Sequence, residues 1–343
     1  MFRRRMTLAY LLSAVATLSI AACGAETVDD PAASEASGYP ITVANCGRDV
    51  TVRSAPQRIA SLNQSSTEIL LSLGLADRIA GTSTWTDPVL PTLAAANSKI
   101  NRISDNWPSL EAVLNVEPDF VTSSFTSTIG PAGTVTTPER LRGFGIESYT
   151  SPSDCDDKIA DDGDGSRSKA LTLDIVYREI TELARLTGVP AAGVKLIASL
   201  KERAANASST KAAGQSALFW FANSESPYMA GCCGAPGIIA NAVGLRNVFE
   251  DTKQEWPQIN WEEVASRNPD VLVLGDLTRR DQSAESAETK IKFLESHPVT
   301  KQMDAVRNKR YIIVTGAELN PSLRTVYGIE NVAAGLSRLG LRR

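Results

Sequence analysis

The sequence is short of the residues that catalytic and metal-binding sites most often use. It holds a single histidine, His297, among 343 residues, so no cluster of histidines can bind zinc or manganese. His297 precedes Pro298 at an expected helix end, where a surface or capping role is commoner than general-base catalysis. The sequence also lacks a G-x-S-x-G elbow, a P-loop and a G-x-G-x-x-G fingerprint. We therefore expect neither an enzyme nor a resident metal or cofactor.

Positive charge is scarce as well. The 39 acidic residues outnumber the 35 lysines and arginines, which gives a net charge of −4. Removal of residues 1–22, which carry three arginines and no acidic residue, takes the net charge from −4 to −7. Nucleic acid is excluded as a partner because it needs a basic face. The composition, 43% hydrophobic and 22% charged, is that of a globular chain long enough for two domains.

The N-terminus has the pattern of an export signal. Arg3, Arg4 and Arg5 precede an uncharged stretch, and small residues lead to Cys23. This segment resembles a bacterial lipoprotein signal, which implies that Cys23 becomes a lipid-modified first residue anchored to the outer face of the cytoplasmic membrane. We predict a signal peptide at 1–22 and a flexible tether at 23–38. Ordinary secretion is the alternative, and the sequence leaves the Sec and twin-arginine routes open.

Four further cysteines can form disulfides in an exported protein. They are Cys46, Cys155, Cys232 and Cys233, which allow three pairings. We favour a bond between Cys46 and Cys155, which pins the first strand to the end of the first lobe. A disulfide, free thiols and metal ligation all remain open for the adjacent pair.

An internal repeat is the strongest organisational signal. The segment "SLEAVLNVEPDFVTSS" (109–124) reappears as "NWEEVASRNPDVLVLG" (260–275), and each copy predicts a helix, a turn and a buried strand. The matched positions are Glu111 and Glu262, Val113 and Val264, Pro118 and Pro269, and Asp119 and Asp270. A second repeat matches 66–79 with 236–249, including Gly74 with Gly244. Two copies predict two similar lobes with a cleft between them.

The predicted architecture is α/β, with two Rossmann-like lobes. A helix from Pro190 to about Ala207 is about 27 Å long, enough to run from one lobe to the other and to limit hinge motion. We predict an N-terminal lobe at 39–189, an interlobe helix at 190–212 and a C-terminal lobe at 213–343. We make two local predictions. One is a helix that opens at Ser65 or Ser66 with Glu68 in its first turn. The other is an acidic loop at 153–168, in which "DGDG" (162–165) is expected to be a solvated turn because its spacing does not match a calcium loop.

Several aromatic residues fall where strands end and loops begin. They are Trp85, Trp107, Phe125, Tyr228 and Trp256. Ligands of α/β lobes bind beyond the carboxyl ends of the strands, so these side chains are expected to converge on the cleft. Packing of each ring on the core of its own lobe is the alternative.

The segments from about Pro56 to the C-terminus resemble the metal-chelate substrate-binding proteins of ABC importers, which serve ferric siderophores, haem and cobalamin. The resemblance lies in "PQRIASLNQSSTEILLSLGLADRIAG", "PSLEAVLNVEPDFV", "EWPQINWEEVASRNPDVLVL" and "HPVTKQMDAVRNKRYIIV". It implies a periplasmic-binding-protein fold with a single long helix between the lobes and little closure. It also implies that Glu111 and Glu262 contact arginines of a permease dimer, which works with an ATPase. The chain is then a monomeric binding protein.

The resemblance also implies a ligand class. "WPQ" before Glu262 is similar to cobalamin-binding members, and Trp85, Phe125, Tyr228 and Trp256 resemble their pocket positions, whereas Trp107 matches less well in spacing. Siderophore binders also use aromatic walls, so a ferric siderophore or a corrinoid is expected as cargo. The candidate cations for an anionic chelate are few, namely Arg279, Arg280 and Arg324, which favours a neutral hydroxamate or a corrinoid. A sensor or structural lipoprotein and a secreted hydrolase are the alternative functions.

Overall fold

Two four-stranded sheets form the centres of two lobes in the computed structural model, which describes residues 38–159, 165–279 and 282–342. The strands are β1 (Ile41–Asn45), β2 (Arg48–Val52), β3 (Ile59–Ser61), β4 (Ile79–Thr82), β5 (Phe120–Ser123), β6 (Glu147–Thr150), β7 (Lys158–Ile159), β8 (Ser166–Arg167), β9 (Ser216–Trp220), β10 (Arg246–Asn247), β11 (Val271–Asp276) and β12 (Tyr311–Thr315). The helices are α1 (Gln64–Ser72), α2 (Ala94–Asn97), α3 (Leu110–Leu114), α4 (Pro138–Gly143), α5 (Leu173–Leu186), α6 (Pro190–Ala207), α7 (Ala235–Val243), α8 (Trp261–Arg267), α9 (Ala287–Ser296), α10 (Asp304–Arg307) and α11 (Arg324–Arg338).

The two sheets share one topology. The strand order is β4-β3-β5-β6 in the first lobe and β10-β9-β11-β12 in the second, and all neighbouring strands within these sheets are parallel. In the first lobe β3 pairs with β4 and β5, and in the second lobe β9 pairs with β10 and β11. The last strand in chain order, β6 or β12, lies at an edge of its sheet. The internal repeat and the two-lobed α/β fold predicted from it are confirmed.

The aspartate of the repeated motif makes the same kind of contact in both lobes. The Asp119 carboxylate accepts hydrogen bonds from the backbone N–H groups of Gln57 (2.7 Å) and Arg58 (3.0 Å), just before β3. The Asp270 carboxylate accepts one from the Ser216 N–H (2.8 Å) at the start of β9. Each aspartate therefore ties the amino end of its own strand to that of the central strand beside it, satisfying donors that the sheet leaves open.

Helix α6 begins with Pro190 in its first turn and ends at Ala207, which matches the predicted helix length. The predicted interlobe segment at 190–212 is therefore helical only as far as Ala207. It packs against α5 on one side and against α11 on the other. One cluster of buried side chains runs through this layer, from Phe120 under the first sheet past Leu200 to Ile329 of α11. The lobes are thus joined by a continuous apolar core. Among the helices that the structure describes, none combines the length and the apolar character that a membrane span requires.

The N-terminal hairpin β1–β2 is fastened to the first sheet. Cys46 and Cys155 form the predicted disulfide, with their Cα atoms 5.4 Å apart. Beside it, the Asn45 amide donates to the Thr150 carbonyl (2.7 Å) and accepts from the Thr150 N–H (3.0 Å). Cys232 and Cys233 are also paired, so the structure favours the disulfide among the three options.

Helix α1 begins earlier than predicted. Asn63, not Ser65 or Ser66, is the N-cap, and its Oδ1 accepts from the Ser65 N–H (2.9 Å). Glu68 therefore lies in the second turn, and the whole first part of the helix is buried. A buried carboxylate needs a partner, and the partner lies in the other lobe.

A buried ion pair joins the lobes at this point. The Glu68 carboxylate accepts from Nε of Arg324 (2.6 Å), and a second guanidinium nitrogen donates to Pro88 O (2.6 Å). Glu68 is 1% exposed and Arg324 is 4% exposed. Since α1 belongs to the first lobe and α11 to the second, this pair fixes their separation.

A second junction lies in the acidic segment at 153–168. The predicted solvated turn, "DGDG" at 162–165, lies largely outside the described residues. The residues on either side of it form the short hairpin β7–β8 and bury charge against the second lobe. Arg167 pairs with Glu255, and Lys158 pairs with Asp154 (2.6 Å) and Glu255 (3.4 Å). We call Asp154, Lys158, Arg167 and Glu255 the buried charge cluster. It links the lobes through side chains whose desolvation is offset by mutual pairing.

We expect Glu68→Gln to lower the free energy of unfolding by about 3–5 kcal/mol, because it leaves the Arg324 cation buried without its counter-charge. Urea denaturation of the purified protein measures the loss.

The matched control is Glu330→Gln. Glu330 also pairs with an arginine, Arg203, but both side chains are about one-third exposed. A loss of about 0–1 kcal/mol is expected there. Equal small losses in both variants would contradict the role assigned to the Glu68–Arg324 pair.

Candidate ligand-binding site

The carboxyl edges of the two sheets face each other across the lobe boundary. Thr278, after β11, donates its hydroxyl hydrogen to Thr86 O (2.8 Å), after β4. The Ala317 N–H, after β12, donates to Asp87 Oδ2 (2.6 Å). Burial raises the pKa of Asp87, and the Ala317 N–H and the Arg324 charge oppose that rise. The strand-end loops therefore meet, which is where α/β proteins bind ligands.

Trp85 forms part of the first lobe's side of this boundary. It is half-buried and lies three residues beyond β4, next to the Thr86 contact. Its backbone N–H donates to Asp105 O (3.0 Å) and its indole Nε1 donates to Thr82 Oγ1 (3.4 Å). The Arg102 guanidinium carbon lies 4.7 Å from the ring centroid, and Arg102 also pairs with Asp105 (2.8 Å). The ring is thus held in place by its own lobe.

Phe125 and Trp256 adjoin the buried charge cluster from opposite lobes. Phe125 is half-buried just beyond β5, and the next residue, Thr126, donates its N–H to Asp154 Oδ2 (2.7 Å). Trp256, also half-buried, directly follows Glu255 of the cluster. The cluster therefore places these two predicted pocket residues at one junction between the lobes.

The second lobe contributes a connected row of rings. Trp256 lies 5.0 Å from Phe221 between centroids, and the Arg279 guanidinium carbon lies 5.2 Å from the Phe221 ring. The Phe221 N–H donates to Tyr228 O (3.0 Å), which brings Tyr228 to the same edge. Phe221 was not among the aromatic residues predicted from the sequence. The strand ends at Trp220, so Phe221 lies at the carboxyl edge.

A pocket of about 590 Å³ opens beside Arg279 at the end of β11. Its lining residues are Asp276, Leu277, Thr278, Arg279, Gln282, Ala284, Glu285, Ser286, Glu288 and Thr289. Thr278 also makes the interlobe contact with Thr86, so the pocket borders the cleft. Beneath it, the fully buried Lys290 donates to Gly275 O (2.7 Å) and Glu285 O (2.6 Å). Lys290 thereby fixes the loop that forms the pocket.

Two predicted ligand contacts do not join this group. Trp107 is 53% exposed, on the loop before α3, and no contact connects it with the aromatic row of the second lobe. Arg324 is buried in its pair with Glu68, so the prediction of a cation facing the ligand is corrected. Arg280 and Cys23 lie outside the described residues.

Glu111 and Glu262 occupy matching positions. Both are exposed and lie in the first turn of their helices, two residues after the N-caps Ser109 and Asn260. A helix that crosses between parallel strands begins at the carboxyl edge of the sheet, so both carboxylates lie at the edges that face the cleft. Acidic groups are also favoured there by the helix dipole.

Among the described residues, no group of three or more His, Cys, Asp or Glu side chains is placed to hold a metal ion. His297 is the C-cap of α9 and stacks on Phe293 with ring centroids 4.9 Å apart. It therefore has the capping role expected from the sequence.

The pocket loop predicts a pH effect on stability. Burial lowers the pKa of Lys290 from 10.5 to about 7, and nearby Asp276 and Glu285 oppose the shift. Between these values the unfolded chain holds a proton that the folded protein has released, so stability rises with pH. Relative to Lys290→Met, wild type should gain up to about 1.4 kcal/mol per pH unit above pH 7, measured by urea denaturation.

The control for this prediction is Lys292→Met, which changes an exposed lysine of the same helix that pairs with Glu288. Wild type and Lys292→Met should show parallel pH profiles. A parallel profile for Lys290→Met as well would show that Lys290 keeps its ordinary pKa.

Comparisons with known proteins agree on the fold. The uncharacterized ABC transporter substrate-binding lipoprotein YvrC of Bacillus subtilis is 24% identical over 94% of this chain and 94% of its own length. The cobalamin-binding protein of Halobacterium salinarum (strain ATCC 29341 / DSM 671 / R1) is 27% identical over 81% of this chain and 71% of its own. The crystal structure of an ABC-type Fe3+-hydroxamate transport system from Saccharomonospora viridis has a TM-score of 0.71 and 23% identity, covering 87% of this chain and 99% of that one.

The family match extends through both lobes. Residues 59–318, from β3 to the loop after β12, match the family described as Periplasmic binding protein. The chain therefore belongs to the periplasmic binding protein family, which is a family of solute-binding proteins.

Proposed function

We propose that the chain is the substrate-binding lipoprotein of an ABC importer and captures a metal chelate between its lobes for delivery to the permease. The observation that carries the proposal is the set of aromatic residues at the facing carboxyl edges, with Trp85 and Phe125 in one lobe and Phe221, Tyr228 and Trp256 in the other. Flat rings bind a large amphipathic chelate by stacking and area burial, without ligating its metal.

The proposed cargo is a corrinoid or a neutral ferric siderophore. The Halobacterium salinarum relative is named as a cobalamin-binding protein, and the Saccharomonospora viridis structure of the same fold belongs to an Fe3+-hydroxamate transport system. The ion pairs support this choice, because both of the described arginines that were expected to meet an anionic ligand already have acidic partners. Arg324 pairs with Glu68 and Arg279 pairs with Glu285. Metal chelates are cargo in this proposal and not cofactors.

The proposed location is the outer face of the cytoplasmic membrane, with Cys23 as the lipid anchor and residues 23–38 as the tether. YvrC, which matches 94% of the chain, is named as a lipoprotein. We propose a monomer that works with a permease dimer and its ATPase. Residues 39–189 and 213–343 are the proposed lobes, with residues 190–212 as the segment between them.

Tryptophan fluorescence tests the proposed function directly. The protein without its lipid is titrated separately with cyanocobalamin and with ferric hydroxamate and catecholate siderophores, with correction for ligand absorbance. Saturable quenching at micromolar concentration or below by a neutral chelate is expected. An absence of saturation with every chelate would contradict the proposal and leave a sensor or structural lipoprotein as the better reading, while turnover of an ester or glycoside would indicate a hydrolase.

We expect the double variant Glu111→Ala, Glu262→Ala to bind the chelate as tightly as wild type but to support little uptake in cells. The two exposed carboxylates are proposed to orient the protein on arginines of the permease, which affects encounter more than affinity. Radiolabelled chelate uptake and the fluorescence titration measure the two effects.

Glu139→Ala is the control for this variant, since Glu139 is another exposed carboxylate in the first turn of a helix, α4. Its uptake should equal that of wild type. Normal uptake by the Glu111 and Glu262 double variant would remove the docking role and favour the sensor function.

A further inference from the structure

The side chain of Arg279 is held from two directions at the border of the pocket. Its guanidinium lies over Phe221, and its Nε donates to Glu285 Oε1 (2.7 Å). The Glu285 side chain is 4% exposed, whereas that of Arg279 is 30% exposed. Both side chains line the pocket, and the cation is the more exposed of the two.

Glu285 is itself fixed by the backbone of the pocket loop. Its carbonyl accepts hydrogen bonds from Lys290 Nζ (2.6 Å) and from the Leu277 N–H (3.0 Å). Since Lys290 is fully buried and also binds Gly275 O, the position of Glu285 relative to β11 does not depend on a ligand. The Arg279–Glu285 pair is a preformed part of the site.

We propose that Glu285 is a specificity-determining residue that keeps trianionic chelates out of the cleft by neutralising Arg279. This inference rests on the proposed function, because it concerns the cargo of the same site. Arginine is the side chain best suited to a catecholate or carboxylate, and its partly exposed guanidinium borders the pocket. With its charge compensated by Glu285, the site accepts neutral chelates by stacking on Trp256 and Phe221 and offers an anion little net attraction.

The test compares chelates that differ in charge within each cargo class. A neutral ferric trihydroxamate is compared with a trianionic ferric tricatecholate. Cyanocobalamin is compared with the tricarboxylate obtained by hydrolysing three of its side-chain amides. For Glu285→Gln, the affinity for the anionic member should rise relative to the neutral one by about tenfold or more, the scale of one charge contact at a partly exposed site.

Glu288→Gln is the matched control. Glu288 lines the same pocket and its replacement removes the same formal charge, but its partner is Lys292. The preference should change by less than about threefold there, because exposed charges are screened. Equal shifts in Glu285→Gln and Glu288→Gln would overturn the inference, since a general change in charge would then explain both.

The double variant Arg279→Gln, Glu285→Gln identifies the cation. It should lose the gain in anion affinity, and retention of the gain would show that Arg279 is not the group released. If Glu285→Gln does not fold, Arg279→Gln alone decides. If the charge of Arg279 is compensated by Glu285, Arg279→Gln should change the preference for the anionic chelate by less than about threefold. A loss of about tenfold in the affinity for the anionic chelate would overturn the inference.

Failure of the inference is separable from failure of the proposed function. Saturable binding of a chelate with a preference that Glu285→Gln leaves unchanged would overturn only the role of Glu285. No binding of any chelate by wild type or by the variants would overturn the proposed function together with this inference.

Discussion

The buried ion pair between Glu68 and Arg324 sets the geometry on which the rest of the site depends. Both charges are removed from water, so separating them would leave two isolated ions in the protein interior. Close to this pair, the Asp87 carboxylate of the first lobe accepts a hydrogen bond from the Ala317 N–H of the second lobe. The buried charge cluster joins the lobes at a second place. A continuous apolar layer around α6 completes the connection. The lobes are therefore held at a fixed separation rather than joined by a free hinge.

A fixed cleft determines how a ligand can be recognised. Because the lobes are already held together, ligand binding uses little free energy in moving one lobe toward the other. Affinity then depends on the fit between a rigid ligand and side chains that are already in position. Trp85 is held by Thr82, Asp105 and Arg102 of its own lobe, and Phe221 by Tyr228. Such preformed aromatic surfaces suit large, rigid chelates. A fixed separation of the lobes would also keep a constant spacing between Glu111 and Glu262, the carboxylates proposed to contact the permease.

Two arginines near the lobe boundary are paired with acidic residues of the same protein. Arg324 stabilises the lobe boundary and Arg279 is compensated by Glu285, so the two described arginines that sequence reasoning assigned to the ligand serve structural or balancing roles. Cationic residues near a cleft are therefore poor evidence for an anionic ligand until their partners are known. The small number of arginines near this site favoured a neutral ligand, and the two ion pairs support that proposal.

Much of the fold could be predicted because it follows from local patterns. The repeated Pro-Asp motif marked equivalent strands, Pro190 marked the start of α6, and an even number of cysteines indicated the Cys46–Cys155 bond. The misses concern contacts that are distant in sequence. The partner of Glu68 is 256 residues away, and the need for one follows from the burial of the carboxylate, which its local sequence does not reveal. Phe221 was missed because a strand end depends on pairing with β11, which its own sequence does not reveal.

A crystal structure of the protein loaded with its chelate tests the central claim most directly. The account predicts the chelate between Trp85 and Phe125 on one side and Phe221 and Trp256 on the other, with the Glu68–Arg324 pair intact and the lobes in the same relative orientation. A chelate bound outside the cleft, or a closure of the lobes that breaks this ion pair, would contradict it.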